Sequence, residues 1–277
     1  MKNGVIGCGS MGKMLLRQFS ALYAADDLLA FNRSAEKLQA VSDICTVCES
    51  NRSLAEQADI IFLCVRPADL PAVLTEIKDA VLPDALLVSL NGSVTFEAIA
   101  GILPHKTAKA IPSVTAEIGR SQTLVCYNEA VTEADRQKLE ALLRCMGSVT
   151  VLPEHELGMG SELVSCMPGF LASVFDVICR EAETHTAIPA EQITDMLLQT
   201  VASTAALMTE TGMDFQEVVT RVATKGGITE AGTAVIYGQF PETAAELFRR
   251  TLTKRAQTAE QTAALMRTYT ENKEMQL

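Results

Sequence analysis

Short apolar runs recur along the first half of the chain, separated by polar or glycine-bearing stretches and by segments whose apolar residues fall at helical spacing. Val5-Ile6, Leu28 to Phe31, Ile44 to Val47, Ile60 to Val65, Leu86 to Leu90, Ala108 to Ile111, Leu124 to Tyr127 and Val149 to Leu152 read as short buried strands. Between most of them lie helical patterns, such as Met11, Met14, Leu15, Phe19 and Leu22. Strands alternating with helices predict a parallel sheet covered on both faces, because parallel neighbours need a crossover. Past about Pro153 the strand runs stop. Phe170, Val174, Val177 and Ile178 form one helical apolar stripe, and Met196, Leu197, Val201, Ala205 and Met208 form another. Faces this wide on one small helical domain predict packing against a second subunit. The expected class is α/β, with residues 1–153 as one domain and an all-helical domain over 154–277. Within the latter, Pro168-Gly169 should kink the first helix or leave carbonyls unpaired.

The first strand runs straight into Gly7-Cys8-Gly9-Ser10-Met11-Gly12, a Gly-x-Gly-x-x-Gly between a strand and a helix. In a nucleotide-binding βαβ unit the first glycine permits the tight turn. The second lets the backbone approach a pyrophosphate, and the third lets the helix pack closely on the strand. Backbone N–H groups at the helix start then hold phosphate. Ile6, Gly7, Cys8, Gly9, Ser10, Met11 and Gly12 are therefore candidate dinucleotide contacts. The second strand ends in Asn32-Arg33-Ser34 with Lys37 close behind, and no acid stands there to accept from a ribose 2′-hydroxyl. Arg33 offers a planar fork and Ser34 a hydroxyl, which favours NADP(H), with NADH still possible. The same residues also read as an N-capped helix start carrying a solvated arginine. Cys64-Val65-Arg66-Pro67 and Asn91-Gly92 follow two further strands, at carboxyl ends where a cofactor crevice opens, although ordinary turn chemistry also accounts for them.

Composition narrows the partners. With 23 Lys and Arg against 34 Asp and Glu, the net charge of −11 argues against a protein that binds nucleic acid through its phosphates. No apolar run approaches roughly 18 residues, and the chain opens on a strand, so a cytoplasmic protein with no membrane partner is expected. Eight cysteines include one closely spaced pair, Cys45 and Cys48, but no second pair completes a tetrahedral set, so no metal is expected. The remaining cysteines sit mostly among apolar neighbours and read as small hydrophobes, and His105, His155 and His185 are isolated.

The segment from Val222 to Gly232 contains Thr224-Lys225-Gly226-Gly227-Ile228-Thr229 ahead of a helical pattern. It reads as a helix–helix corner, with Thr229 among the capping candidates, and such a corner exposes N–H donors that suit a carboxylate. Here the sequence resembles the pyrroline-5-carboxylate reductase family, whose signature reads Ser-Pro-Gly-Gly-x-Thr before a helix. The amino-terminal glycines, Asn32-Arg33-Ser34, Val65-Arg66-Pro67 and Glu210-Thr211-Gly212 fall at family-like spacings. The resemblance implies dinucleotide contacts at Gly7 to Gly12, Ser34, Asn51, Cys64 to Pro67, and Leu90, Asn91 and Gly92. It implies substrate contacts at Glu154, Arg221, Ile228 and Thr229, with Thr224, Gly226 and Gly227 in the same corner. It also implies reduction of the cyclic imine L-1-pyrroline-5-carboxylate to the amino acid L-proline by NADPH, in a homodimer or larger homo-oligomer. Thr229 is then the residue expected to hydrogen-bond the imine nitrogen, and the amides around Gly226 to Ile228 to receive the substrate carboxylate; Lys225 and Arg221 either add charge there or are solvated.

Departures from the family pattern mark a divergent branch, similar to late-competence reductase-like proteins. Val164-Ser165-Cys166-Met167-Pro168-Gly169-Phe170 stands where the family has Ser-Gly-Ser-Gly-Pro-Ala-Tyr, and Pro112-Ser113-Val114-Thr115 where it has Pro-Asn-Thr-Pro. Lys225 replaces the signature proline, and Arg221 an Asn or Asp. These changes leave two alternatives open, a reductase of a different cyclic imine and a non-catalytic nucleotide-responsive binding protein. A β-hydroxy-acid dehydrogenase of the same domain order would use a helix-borne lysine, and no such residue opens the helical half.

Overall fold

Eight strands make one sheet in the computed structural model, which describes residues 1–274. In chain order they are β1 (Asn3–Ile6), β2 (Leu28–Phe31), β3 (Thr46–Val47), β4 (Ile60–Leu63), β5 (Leu86–Ser89), β6 (Thr107–Ile111), β7 (Ser121–Tyr127) and β8 (Gly147–Val151). Their order in the sheet is β3-β2-β1-β4-β5-β6-β7-β8. Val5 pairs with Ala30 on one side and Phe62 on the other, both in parallel, so the strand order reverses at β1. That reversal opens a crevice at the carboxyl ends of β1, β2 and β4, the usual ligand position in such sheets.

The expected all-parallel sheet is corrected at one place, where β6 and β7 run antiparallel. Only a single 3₁₀ turn, Val114–Ile118, joins them. So short a link reverses the chain, whereas a parallel return needs a dozen or more residues. Gly119 closes the turn at φ +68°, and the Ser121 hydroxyl accepts the Ser113 N–H at 3.0 Å.

Helices α1 (Ser10–Phe19), α2 (Ala35–Gln39), α3 (Asn51–Ala55), α4 (Leu70–Ile77), α5 (Phe96–Ala100) and α6 (Glu133–Leu143) fill the connections. Local signals start several of them: Ser50 and Ser53 cap α3 reciprocally, as do Thr132 and Asp135 for α6. One apolar core packs Leu15, Phe19, Phe62 and Val88 with Leu139 and Leu143, and the Phe19 and Phe62 ring centroids lie 5.2 Å apart. The other face packs Leu54, Leu63, Leu70, Leu74, Ile77 and Leu87, together with Met266 near the end of the chain.

The helical part begins with α7 (Leu157–Ser161), a π turn over Glu162–Cys166, and α8 (Met167–Glu183). The disturbance expected at Pro168 is this π turn. Proline lacks an N–H and crowds the carbonyl four residues back, here Val164, and the wider turn relieves both. There follow α9 (Ala190–Thr211), closed by Gly212 at φ +73°, α10 (Phe215–Val222), started by an Asp214–Glu217 capping box, and α11 (Ile228–Glu274). Two compact units result: Met1–Pro168 with the chain from Leu252 onward, and Gly169–Thr251. By compactness, the carboxyl-terminal stretch of α11 belongs with the sheet unit.

Within Gly169–Thr251 only Cys179 and Ile193 are buried hydrophobics, whereas Val177, Ile178, Leu198, Val235, Ile236 and Phe240 are exposed. An 18-residue stretch within Glu154–Glu183 has a mean hydropathy of 1.6, long and apolar enough by composition to cross a membrane. The run is interrupted by polar residues such as Ser165, Ser173 and Asp176, so it is apolar only as an average.

Candidate functional site

The glycine turn has the geometry its sequence requires. Gly7 sits at φ +100°, and a methyl group on it would lie 2.8 Å from the Cys64 carbonyl oxygen. At Gly12 a methyl group would lie 2.0 Å from the Gly7 carbonyl oxygen, so α1 passes against the strand at a distance only glycine permits. Gly9 is the reverse case, with nothing within 4 Å of where its side chain would be. It is the N-cap of α1 and has no side chain to cover the first N–H groups, which have no intrahelical partner. Open space and unpartnered donors together make a cradle for an anion.

Around this turn lies a cleft of about 500 Å³. Its lining includes the expected Ile6, Gly7, Gly9, Asn32, Arg33, Ser34, Asn51, Cys64, Val65 and Arg66. Cys8, Ser10, Met11, Gly12, Pro67, Leu90, Asn91 and Gly92 do not line it. Cys8 is wholly buried, and its N–H donates to Asn32 Oδ1 at 3.1 Å, which fixes the end of β2 against the glycine turn. Burial pushes the Cys8 thiol up to about 11 and raises Cys64 further, so neither is a ready thiolate. Cys45 is likewise pushed up to about 12 by burial. Among the described residues no group of three or more His, Cys, Asp or Glu is placed to hold a metal ion.

The β2 end of the cleft is cationic, and an unanticipated acid organises it. Arg33 Nη2 lies 2.7 Å from Asp69 Oδ1, and Arg66 Nε lies 3.0 Å from Asp69 Oδ2. Burial works against ionisation of Asp69, but the hydrogen bonds from Arg66 and Arg33 outweigh it and hold its carboxyl below the usual range. Both arginines stay exposed at the rim, with Lys37 beside them. Ser34 occupies the N-cap position of α2, yet its side chain makes no capping bond, so its hydroxyl faces the same rim uncommitted to the helix. Asn51, the first residue of α3, donates to Glu76 Oε2 at 2.8 Å and keeps a buried Oδ1 without a partner. Phe31, Lys37, Asp69, Ala72, Val73 and Glu76 complete the lining. Of these, Asp69 left a local trace in its i,i+3 spacing from Arg66.

Beyond the cleft, Asn91 Nδ2 donates to the Val65 carbonyl at 3.1 Å, tying the loop after β5 to the loop after β4. Glu154 is already engaged: one carboxylate oxygen binds the Lys109 ammonium and accepts the Phe96 N–H at 2.9 Å. Lys109, on β6, is 1% exposed and sits 4.9 Å over the Phe96 ring, and no local pattern in the sequence marks it.

The Gly226–Thr229 corner belongs to the helical unit. Gly226 adopts φ +74°, and its N–H donates to Glu230 Oε2 at 2.6 Å. The Gly227 N–H donates to the Thr224 carbonyl at 2.8 Å. Two of the amides expected to receive a carboxylate are thus satisfied within the corner, and the N–H groups of Ile228 and Thr229, in the first turn of α11, are those without an intrahelical partner. Ile228 is 94% exposed, and Arg221 contacts Met213 Sδ at 3.7 Å.

Known proteins share this arrangement. Residues 2–92 match the family model described as NADP oxidoreductase coenzyme F420-dependent, and residues 154–265 match the pyrroline-5-carboxylate reductase dimerisation model. Pyrroline-5-carboxylate reductase 3 of Bacillus subtilis (strain 168) is 29% identical over 256 residues, 91% of this chain and 94% of that protein. ComE operon protein 4 of the same organism is 25% identical over 84% of this chain and 87% of its own length. The structure of Plasmodium falciparum pyrroline carboxylate reductase with NADP bound has a TM-score of 0.79 over 96% of this chain and 98% of that one, at 20% identity, and so shares the fold. A Rossmann-type sheet with this glycine turn, followed by a helical dimerisation domain, defines an NAD(P)H-dependent oxidoreductase, and the dimerisation domain points to a homo-oligomer. Across both parts the chain is similar to pyrroline-5-carboxylate reductases, and also to ComE operon protein 4.

Proposed function

We propose that this protein reduces L-1-pyrroline-5-carboxylate to L-proline with NADPH, as a step of proline biosynthesis, in a cytoplasmic homodimer or larger homo-oligomer. The observation that carries the reading is the cleft at the β1–α1 turn, which combines an anion cradle at Gly9 with two arginine forks at the ribose end. Arg33, Arg66 and the Ser34 hydroxyl fit a 2′-phosphate, whereas a bare 2′-hydroxyl would leave the forks on Asp69. When bound, the dinucleotide supplies the hydride.

The chain's own residues then have to orient the imine. A C=N group can take its proton in solution, so positioning carries the protein's contribution and no catalytic histidine is required. Thr229 donates its hydroxyl to the imine nitrogen, and the N–H groups of Ile228 and Thr229 receive the carboxylate at the positive end of α11. Gly226 and Gly227 shape that corner, and the Glu230 carboxylate on the Gly226 amide gives way if the substrate reaches it. Thr224, Arg221 and Glu154 are the remaining proposed substrate contacts. The exposed apolar stripes of the helical unit fit burial against a second copy.

The test is oxidation of NADPH and NADH with pyrroline-5-carboxylate, with proline measured as product. Proline formation with marked preference for NADPH is the expected result. A second reading, a reductase of a different cyclic imine, is favoured by Val164 and Cys166 in the π turn, Met167 at the start of α8 and Lys225 at the corner, all larger or more charged than the family's residues. NADPH binding without proline formation would select that reading, or a non-catalytic role if no imine is reduced.

A further inference from the structure

Arg255 lies on the stretch of α11 that belongs with the sheet unit. Its Nε and Nη2 bind one oxygen of Glu162 at 3.0 and 2.9 Å, and Nη2 also reaches Ser161 Oγ at 3.1 Å and Cys166 Sγ at 3.7 Å. Glu162, in the π turn, is 1% exposed, and its other oxygen is buried without a hydrogen-bond partner. A carboxylate so buried is tolerated only with its counter-charge in place, so the pair pins the guanidinium. The Arg255 side chain nevertheless stays 25% exposed, and its remaining nitrogen, Nη1, overlooks Gly92: a methyl group built on Gly92 would lie 3.9 Å from it.

The strand order gives this nitrogen its meaning. Along β2-β1-β4-β5 the loop after β2, with Arg33, stands at one end of the crevice and the loop after β5, with Gly92, at the other. The Asn91–Val65 hydrogen bond joins that last loop to the wall of the cleft. On the reading that NADPH binds with its 2′-phosphate at Arg33, the nicotinamide end is directed towards Gly92. We propose that Arg255 is a cofactor-contacting residue, donating from Nη1 to the nicotinamide carboxamide oxygen, and that Glu162 is its positioning residue. Glu162 offsets the arginine's charge, so the pair presents an N–H donor with little net field, which suits a neutral amide oxygen better than a carboxylate.

Because removing Arg255 alone would strand Glu162, the test uses the double variant Glu162→Gln/Arg255→Met in the full chain, with thermal melting to check the fold. Calorimetry measures NADPH and 2′-phospho-ADP-ribose, which lacks the nicotinamide ring, on wild type and variant. Loss of a hydrogen bond from a charged donor should weaken NADPH about tenfold and leave 2′-phospho-ADP-ribose within about twofold. Equal weakening of both ligands would assign the pair to the fold. Unchanged NADPH affinity with a raised KM for the imine would assign Arg255 to the substrate carboxylate, and either result overturns the proposal. A wild type that binds neither ligand overturns the dinucleotide reading itself and this assignment with it. If the double variant does not fold, Arg255→Lys, which keeps the charge but lacks the fork, must show the same split between ligands.

Discussion

Two glycines three residues apart should respond to the same substitution in opposite ways. Gly12→Ala places a methyl group 2.0 Å from the Gly7 carbonyl oxygen, 3.0 Å from the Gly7 carbonyl carbon and 3.2 Å from Val5 Cγ1. Two of these atoms are backbone in a turn already fixed at φ +100°, so α1 must move away from β1. Overpacking of this kind costs about 3 kcal/mol or more, equivalent to a fall in Tm of about 6 °C or more for a chain of this size. Gly9→Ala has nothing within 4 Å, and its φ of −73° suits alanine, so Tm should fall by no more than about 3 °C, the cost of alanine as a poorer N-cap than glycine. The new methyl group instead projects into the space assigned to the pyrophosphate, and NADPH affinity should fall about tenfold or more, the scale of one lost charge-assisted hydrogen bond. Thermal melts and NADPH calorimetry on both variants measure the two effects. A Gly9→Ala protein with wild-type NADPH affinity would refute the placement of the pyrophosphate. A Gly12→Ala protein with wild-type Tm would refute the close approach of helix and strand.

Arg33→Ala should raise the Kd for NADPH about tenfold while leaving that for NADH nearly unchanged, because Asp69 loses one of its two arginine partners and turns more negative charge towards the 2′-phosphate; a parallel loss of both cofactors by calorimetry would contradict the role of Arg33. Thr229→Ala should lower kcat for imine reduction by about tenfold or more with NADPH binding intact, and equal loss of both would remove Thr229 from the substrate site. Asp135 tests electrostatics away from the site. Its burial favours the neutral acid, but hydrogen bonds from the Thr132 hydroxyl and N–H, and from Lys106, prevail and lower its pKa in the fold. A depressed carboxyl stabilises the fold above its unfolded value of about 4 and loses that contribution as pH falls through the lower folded value. Asp135→Asn should therefore reduce Tm at pH 7, and the gap from wild type should narrow progressively below about pH 4; a gap that widens in acid would be the wrong sign.

What could be read from the chain followed its local physics. β2 spans Leu28–Phe31 as its apolar run indicates, and β4, β5 and β8 differ from their runs by at most two residues at an end. The glycine turn was legible because, within six residues, Gly7 and Gly12 each meet a steric demand and Gly9 leaves open space between them. The direction of β7 was not, since it depends on how little chain lies between Ile111 and Ser121 rather than on either strand's pattern. Asp69 is the clearest omission. No acid follows β2, but the fold brings one from beyond β4 to the same rim, where it holds Arg33 across 36 residues of sequence. Lys109 and Glu154, 45 residues apart, and Glu162 and Arg255, 93 apart, were hidden for the same reason.

The helical half was legible in a different way, by what it leaves unsatisfied. Val177, Ile178, Val235, Ile236 and Phe240 are each about half exposed. Burying such side chains is worth roughly 1.5–3 kcal/mol apiece when complete, so the five represent several kcal/mol that this unit does not gain from its own fold. The sheet unit also exposes Val114, Ile118, Val151 and Leu163, but it closes two large cores around β1, β4 and β5, whereas the helical unit buries only Cys179 and Ile193. Val177 and Ile178 lie on a stripe visible in the sequence, Val235, Ile236 and Phe240 lie outside both predicted stripes, and the exposure of all five points to association. That is consistent with the dimerisation model matching residues 154–265. At the Gly226 corner, where Ile228 is exposed, only the Gly226 and Gly227 amides are satisfied, by Glu230 and Thr224, and the N–H groups of Ile228 and Thr229 are left without an intrahelical partner.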